Sequence, residues 1–287
     1  MTRVNPLRRA WRFVYRHRNP LRSVVRAIKV GRVDEAKLVE DQVRRFAAVG
    51  LDWYNAHSTV EGLVGKNDDP TTHRSEHYEL LAAVVKSRPI CRVLEIGTAE
   101  GEFTYFIARI LPNADITTVD LPSSDRRFWR ATRGDTPTRE GGAGTADVRA
   151  RDARLAAHTR VRLLEMNSLE LSAWDGARFD LVWVDGDHSY PIVVVDIINA
   201  LRLLRPGGVI MCDDVYLASA PRSVWVSDET TMTLRALEEA RLIRSTLVLK
   251  KLFASKNYDV DRRKYVALVE PIAAAWVRGP DGGSHSR

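Results

Sequence analysis

No run of about 18 apolar residues occurs in this chain of 287 residues, which excludes a helix long enough to cross a membrane. The amino terminus also lacks the continuous apolar stretch of a secretory signal, so a soluble, cytoplasmic protein is expected. Cysteine is scarce. Cys91 and Cys212 are the only two, and the strand assignment below puts them on non-adjacent strands at opposite ends of the sheet, which argues against a disulfide. Two cysteines without a histidine cluster do not make a zinc site. Acidic residues are missing from residues 1–32, which hold ten Arg or Lys, leaving 34 basic against 37 acidic groups over residues 33–287. The net charge of +7 therefore belongs to an appendage, and a nucleic-acid partner is not expected.

What is present begins with a short internal repeat, Asn5-Pro6-Leu7-Arg8 and Asn19-Pro20-Leu21-Arg22, in which Asn caps a helix and Pro fills its first turn. Leu7, Trp11 and Val14 fall on one face of the first helix, and Leu21, Val24, Val25 and Ile28 on one face of the second. Such basic amphipathic helices fit attachment to an anionic membrane surface, here the inner one, an arm packed on its own domain or on a second subunit of a homo-oligomer, or a cleaved targeting peptide. The chain divides into this arm (1–32), a lead-in (33–74), a catalytic domain (75–277) and a Gly-rich polar tail (278–287) expected to be disordered.

Residues 34–64 read as helical and then irregular, and His73 to Lys86 as a helix. Strands are predicted near 92–96, 115–119, 161–166, 179–185 and 208–213, with helices near 102–111, 147–157, 190–204 and 228–241. Apolar runs of strand length separated by helical patterns indicate an α/β fold, a doubly wound, Rossmann-like and mostly parallel sheet covered on both faces. Two late strands, near 246–253 and 264–269, are joined by a polar segment too short for a helical crossover, so they should pair antiparallel.

The first strand, Val93-Leu94-Glu95-Ile96, runs into Gly97-Thr98-Ala99-Glu100-Gly101 and a helix. Glycines serve where backbone bends sharply and a ligand must approach closely. The register is not G-x-G-x-x-G, and Ala99 between Gly97 and Gly101 makes a poor pyrophosphate cradle, which counts against a nicotinamide-dependent oxidoreductase. Here the sequence resembles the class I S-adenosylmethionine-dependent methyltransferases, over about residues 75–270. The resemblance implies that the turn, with Glu95, Gly97, Thr98 and Gly101, wraps the methionine part of the cofactor. Asp120 ends the second strand, where a carboxylate can accept both ribose hydroxyls, the alternative being a turn or cap aspartate. Asn167-Ser168, after the third strand, matches the adenine-contacting position of that family, and the alternative is capping of the following turn.

The most specific segment is Asp180-Leu-Val-Trp-Val-Asp185-Gly-Asp187-His188-Ser189-Tyr190, followed by Arg205-Pro206-Gly207-Gly208 and a strand ending Cys212-Asp213-Asp214. Carboxylates gathered at strand ends need something positive beside them. Asp185 and Asp213 end strands expected to be neighbours, about 4.8 Å apart, so their side chains can converge on one ion. An all-oxygen set points to magnesium or manganese over zinc, the alternative being helix caps and arginine pairing. The series is similar to metal-dependent O-methyltransferases that act on sugars, of the macrocin O-methyltransferase type, and more distantly to catechol O-methyltransferases. The resemblance implies metal ligands at Asp185, Asp213 and Asp214, with Asp185 also beside the cofactor. Catechol enzymes usually carry Asp-Asn at the last pair, so Asp213-Asp214 favours a hydroxyl of a sugar or glycosylated acceptor. The proton falls to Asp187, the second Asp of D-G-D, or to His188. A metal-independent small-molecule methyltransferase is the rival within the fold, and no Pro-Pro-Tyr-type motif of nucleic-acid amino-methylation occurs. The Gly-rich stretch from Thr132 to Asp147 leaves the ligand face as a candidate lid or a passive insertion.

Overall fold

The computed structural model describes residues 35–64, 75–125, 127–128, 143–217, 228–252 and 263–272. The basic arm, the terminal tail and residues 132–142 of the candidate lid lie outside them. Residues 143–147, also read as loop, instead open a helix. Among the described residues no helix is long and apolar enough to cross a membrane.

The elements, numbered here in chain order, are α1 (Glu35–Ala47), α2 (Trp53–Val64), α3 (His77–Ser87), β1 (Arg92–Ile96), α4 (Glu102–Ile110), β2 (Asp115–Asp120), α5 (Ala143–Ala156), β3 (Val161–Glu165), a 3-10 helix (Ser168–Ala173), β4 (Phe179–Val184), α6 (Ile192–Leu203), β5 (Leu204–Tyr216), α7 (Glu229–Glu239), β6 (Ile243–Leu249) and β7 (Lys264–Pro271). Seven strands form one sheet in the order β3-β2-β1-β4-β5-β7-β6. Strands β1 to β5 pair parallel, and β7 enters between β5 and β6 antiparallel to both. The doubly wound, Rossmann-like arrangement and the antiparallel late hairpin are as expected.

Why these segments are strands follows from burial on both faces. In β1 and β4 every residue but one in each is buried, and the runs Val93-Leu94 and Leu181-Val182-Trp183-Val184 leave no polar face to turn to water. Helix α6 covers the sheet with Val193, Ile197, Ala200 and Leu201, all buried, as its nearly continuous apolar sequence requires. Strand β5 is longer than predicted because Arg205 to Gly208 bulge out between two stretches that both pair with β4.

The segment read as irregular after residue 50 is helix α2, anchored by Trp53, Ala56 and Val60 on one buried stripe. Helix α1 covers the edge strand β6, and its buried Gln42 side chain acts as a strand partner there. The Gln42 Nε2 donates to the Leu249 carbonyl at 3.1 Å and its Oε1 accepts from the Leu249 N–H at 2.9 Å. The Leu249 backbone groups at this sheet edge are thereby paired. The cysteines need a further correction. Both are free, on non-adjacent strands as expected, but in the middle of the sheet: exposed Cys91 precedes β1 and buried Cys212 lies in β5, with only β4 between those strands.

Register places the site. Val119, Ile96, Val184 and Cys212 are successive partners across β2, β1, β4 and β5. The next residue on each strand is Asp120, Gly97, Asp185 and Asp213, which therefore form one row at the carboxyl ends. Strand order reverses between β1 and β4, and a ligand crevice opens outside such a switch point.

Candidate active site

Gly97 holds the centre of the row. Its φ is +100°, and a Cβ there would run into the Asp185 carbonyl, so β1 and β4 approach this closely only with glycine. The contact is tied by the Asp185 N–H donating to the Ile96 carbonyl at 2.8 Å, and Gly97 N–H donates to Val119 at 2.9 Å. Gly101, φ +70°, starts α4. Ala99 takes φ +47°, a left-handed conformation that glycine would enter freely.

Glu95 is fully enclosed beneath this turn, where its Oε2 accepts from the hydroxyls of Thr104 and Thr118, the latter at 2.6 Å. Burial pushes its pKa up to about 8, against those hydrogen bonds. The Thr98 hydroxyl is likewise buried, 2.6 Å from that of Thr118. Both side chains thus form the buried underside of the turn. Asp120, by contrast, is half-buried at the mouth of the crevice. Its Oδ2 accepts from the Ala99 N–H at 2.6 Å and its Oδ1 from the Leu121 N–H at 2.7 Å, each oxygen keeping a lone pair to spare. Burial raises its pKa, and backbone donors at Ala99, Leu121 and Thr98, with the charge of Arg151, oppose the shift.

Asn167 caps the 3-10 helix. Its Oδ1 accepts from the Leu169 N–H at 3.1 Å, while Glu170 accepts from the Asn167 N–H at 3.2 Å. The capping alternative thus describes its oxygen, while the amide nitrogen has no part in the cap. Half-buried Ser168 follows at the same end of β3.

At the other end of the row the acids crowd together. Ligand atoms of Asp185, His188 and Asp213 all lie within 4.8 Å of one another. His188 Nε2 is 3.3 Å from Asp185 Oδ1. Asp214, at φ +53°, is not one of this trio, and its two oxygens meet Lys250, at 2.8 Å, and Lys264. Lys250 also pairs with Asp213 Oδ2, whereas Asp213 Oδ1 is enclosed without a hydrogen-bond partner. So the expected ligands Asp185 and Asp213 are brought together, His188 joins them, and Asp214 is engaged by lysines. Asp187 is exposed on the loop above, its Oδ1 accepting from the Ser189 N–H at 2.8 Å and hydroxyl at 2.6 Å.

Electrostatics separates the paired acids. Burial, and then the charge of Asp213, pushes Asp185 up to about 7. Burial opposes ionisation of Asp213 too, but there the Lys250 ammonium, its hydrogen bond and the neighbouring imidazoles together outweigh it and hold the carboxyl below the usual range. Two carboxylates sharing a site without enough positive charge behave this way. Burial works against a charged His188, yet its bond to Asp185 raises the imidazole above its ordinary value.

Lys250, Lys264 and His77 were not anticipated. His77 stacks on Tyr78 at 4.4 Å and meets Phe103 and Trp183 at 4.5 and 5.1 Å, its ring nitrogens enclosed without partners. Burial pushes its pKa down to about 3, so it is a neutral wedge beside Asp213.

Residues 94–215, from β1 to the end of β5, match the family model described as a methyltransferase domain. No curated protein matches the chain. Among solved structures, the chain is similar to the O-methyltransferase TomG of Streptomyces achromogenes, involved in tomaymycin synthesis and solved with S-adenosylmethionine (SAM), at 18% identity over 84% of this chain and 99% of that one, TM-score 0.46. It is also similar to the S-adenosylhomocysteine-bound (SAH-bound) methyltransferase PaMTH1 of Podospora anserina, at 19% identity over 76% and 88% of the two chains, TM-score 0.46. An O-methyltransferase of Bacillus cereus in complex with SAH shares 19% identity over 76% and 89%, TM-score 0.43.

Proposed function

We propose that this chain, whose residues 94–215 match a methyltransferase-domain model, is an S-adenosylmethionine-dependent O-methyltransferase that uses a divalent cation and acts on a hydroxyl of a sugar or glycosylated acceptor. The observation that carries the reading is the row Asp120, Gly97, Asp185 and Asp213, which sets a ribose acceptor, a ligand-admitting turn and an acidic cluster side by side at the switch point.

When bound, SAM supplies an electrophilic methyl group, and magnesium or manganese supplies positive charge that eases ionisation of a hydroxyl. The residues suit both. Asp120 has lone pairs left for two ribose hydroxyls, and the Asn167 amide nitrogen remains to donate to a base edge. A divalent ion fits the acidic cluster because Asp213 keeps one enclosed oxygen without a partner and Asp185 is short of positive charge. Asp185 and Asp213 would hold it, with His188 alongside and Asp214 behind. Asp187, exposed above them, receives the proton of the acceptor hydroxyl, and the loop mainly orients and excludes water. The sugar acceptor rests on the resemblance of the D-G-D-H-S-Y segment and on an aspartate, not an asparagine, at position 214.

A chelator should stop methyl transfer, and added magnesium or manganese should restore it. Full turnover in chelator would instead favour the metal-independent rival on the same fold.

A further inference from the structure

We propose that Lys250 is a tethered cation that competes with a divalent metal for Asp213, so that the ammonium withdraws from this carboxylate when the metal is held. The inference rests on the metal-binding reading above, and its test does not require methyl transfer.

Lys250 stands just beyond β6, and its backbone is fixed on both sides. Its N–H donates to the Lys264 carbonyl at 2.9 Å, and its own carbonyl accepts from the Glu76 N–H at 2.7 Å. The side chain is 15% exposed and ends on Asp213 Oδ2 and, at 2.8 Å, on Asp214 Oδ1. Asp213 is itself 3% exposed, so this is an enclosed ion pair with little water around it. A divalent ion sits at about 2.0 to 2.1 Å from its oxygens and draws them round itself. A metal held through the unpartnered Asp213 Oδ1 lies across one carboxylate from the ammonium on Oδ2, and two cations packed that closely repel. The lysine leaves the acidic set incompletely neutralised, because Asp213 Oδ1 keeps no partner. It thereby stabilises the metal-free site yet leaves the attraction that admits a stronger cation. Lys264 differs: of the two acids it pairs with Asp214, through the oxygen Lys250 does not use, and it lies over the Tyr216 ring. Asp214, at φ +53°, presents one oxygen to each lysine.

If the lysine-bound arrangement predominates, removing the ammonium raises apparent metal affinity by the factor that competition had suppressed. The test is manganese binding by calorimetry to the full chain, to Lys250→Met and to Lys264→Met, with circular dichroism to establish folding. Lys250→Met should bind manganese about tenfold or more tightly than the parent, and Lys264→Met should change it by less than about threefold. A folded Lys250→Met that binds no more tightly than the parent overturns the proposal. Should that variant not fold, Lys250→Gln is measured in the same way, and magnesium is titrated into the parent chain while the lysine side-chain resonances are followed by NMR. Displacement of the Lys250 signal is expected, and bound magnesium with that signal unmoved counts against competition. A parent chain active in chelator would remove the metal from the proposed reaction, whereas the lysine's role is decided by the affinities alone.

Discussion

In Asp187→Asn, turnover at saturating metal is expected to fall by a factor on the order of 100 or more while SAH binding is retained. The substitution is nearly silent structurally, because an Asn Oδ1 accepts from the Ser189 N–H and hydroxyl as the Asp Oδ1 does. What it removes is the charge that takes a proton. His188 is the alternative base, but its imidazole sits 3.3 Å from Asp185, and although burial disfavours its charged form, that carboxylate holds its proton above the ordinary value. A ring that keeps its own proton is a donor, not an acceptor. His188→Ala should therefore raise KM for the acceptor more than it lowers kcat. Both variants measured from pH 5 to 9 decide the matter. A histidine base loses activity as pH falls through its own pKa, held here above the ordinary value, so near-normal turnover in Asp187→Asn together with loss of that acidic limb in His188→Ala would reverse the assignment.

Gly97→Ala is expected to destabilise the fold by about 3 kcal/mol, from a left-handed alanine and an overpacked contact, and to abolish SAH binding. The methyl group would meet the backbone carbonyl of Asp185, which no side-chain rotation can move aside. Relief requires β1 and β4 to part, and the row of Gly97, Asp185 and Asp213 parts with them. Ala99→Gly is the contrast. At φ +47° it loses the left-handed cost, offset by greater freedom in the unfolded chain, and should be neutral to mildly stabilising. Urea unfolding of both variants checks this, and a Gly97→Ala protein within about 0.5 kcal/mol of the parent would contradict the packing argument.

The core of the sheet was readable because its strands are short apolar runs ended by Gly or Asp, a pattern that buried parallel strands share. The same ends carry Gly97, Asp120, Asp185 and Asp213, and the convergence of Asp185 and Asp213 was visible as soon as adjacency of β4 and β5 was inferred. The full row needed the registers of β1 with β2 and β4. The lysines were not visible. Lys250 and Lys264 lie 36 and 50 residues from Asp214, and a lysine at a hairpin end ordinarily reads as solvated. Only the entry of β7 between β5 and β6 carries them to the acids, and antiparallel pairing of the late strands did not by itself reveal that β7 also joins β5. Glu95 and Thr98 were tied to the ligand through the family resemblance of their turn; no local pattern points to their hydrogen bonds with Thr104 and Thr118. Helix α2 was missed because its apolar stripe of Trp53, Ala56 and Val60 is thin and broken by polar residues and Gly62.

The central claim, a SAM-dependent transferase built on this row, is tested most directly by calorimetry of SAH with the full chain and with Asp120→Ala, in the presence of magnesium. Binding to the full chain is expected, with a loss of at least about tenfold in Asp120→Ala, roughly 1.4 kcal/mol, since the variant lacks both the ribose acceptor and the tie to the Ala99 N–H. No heat with SAH, together with tight binding of NADH, would contradict it.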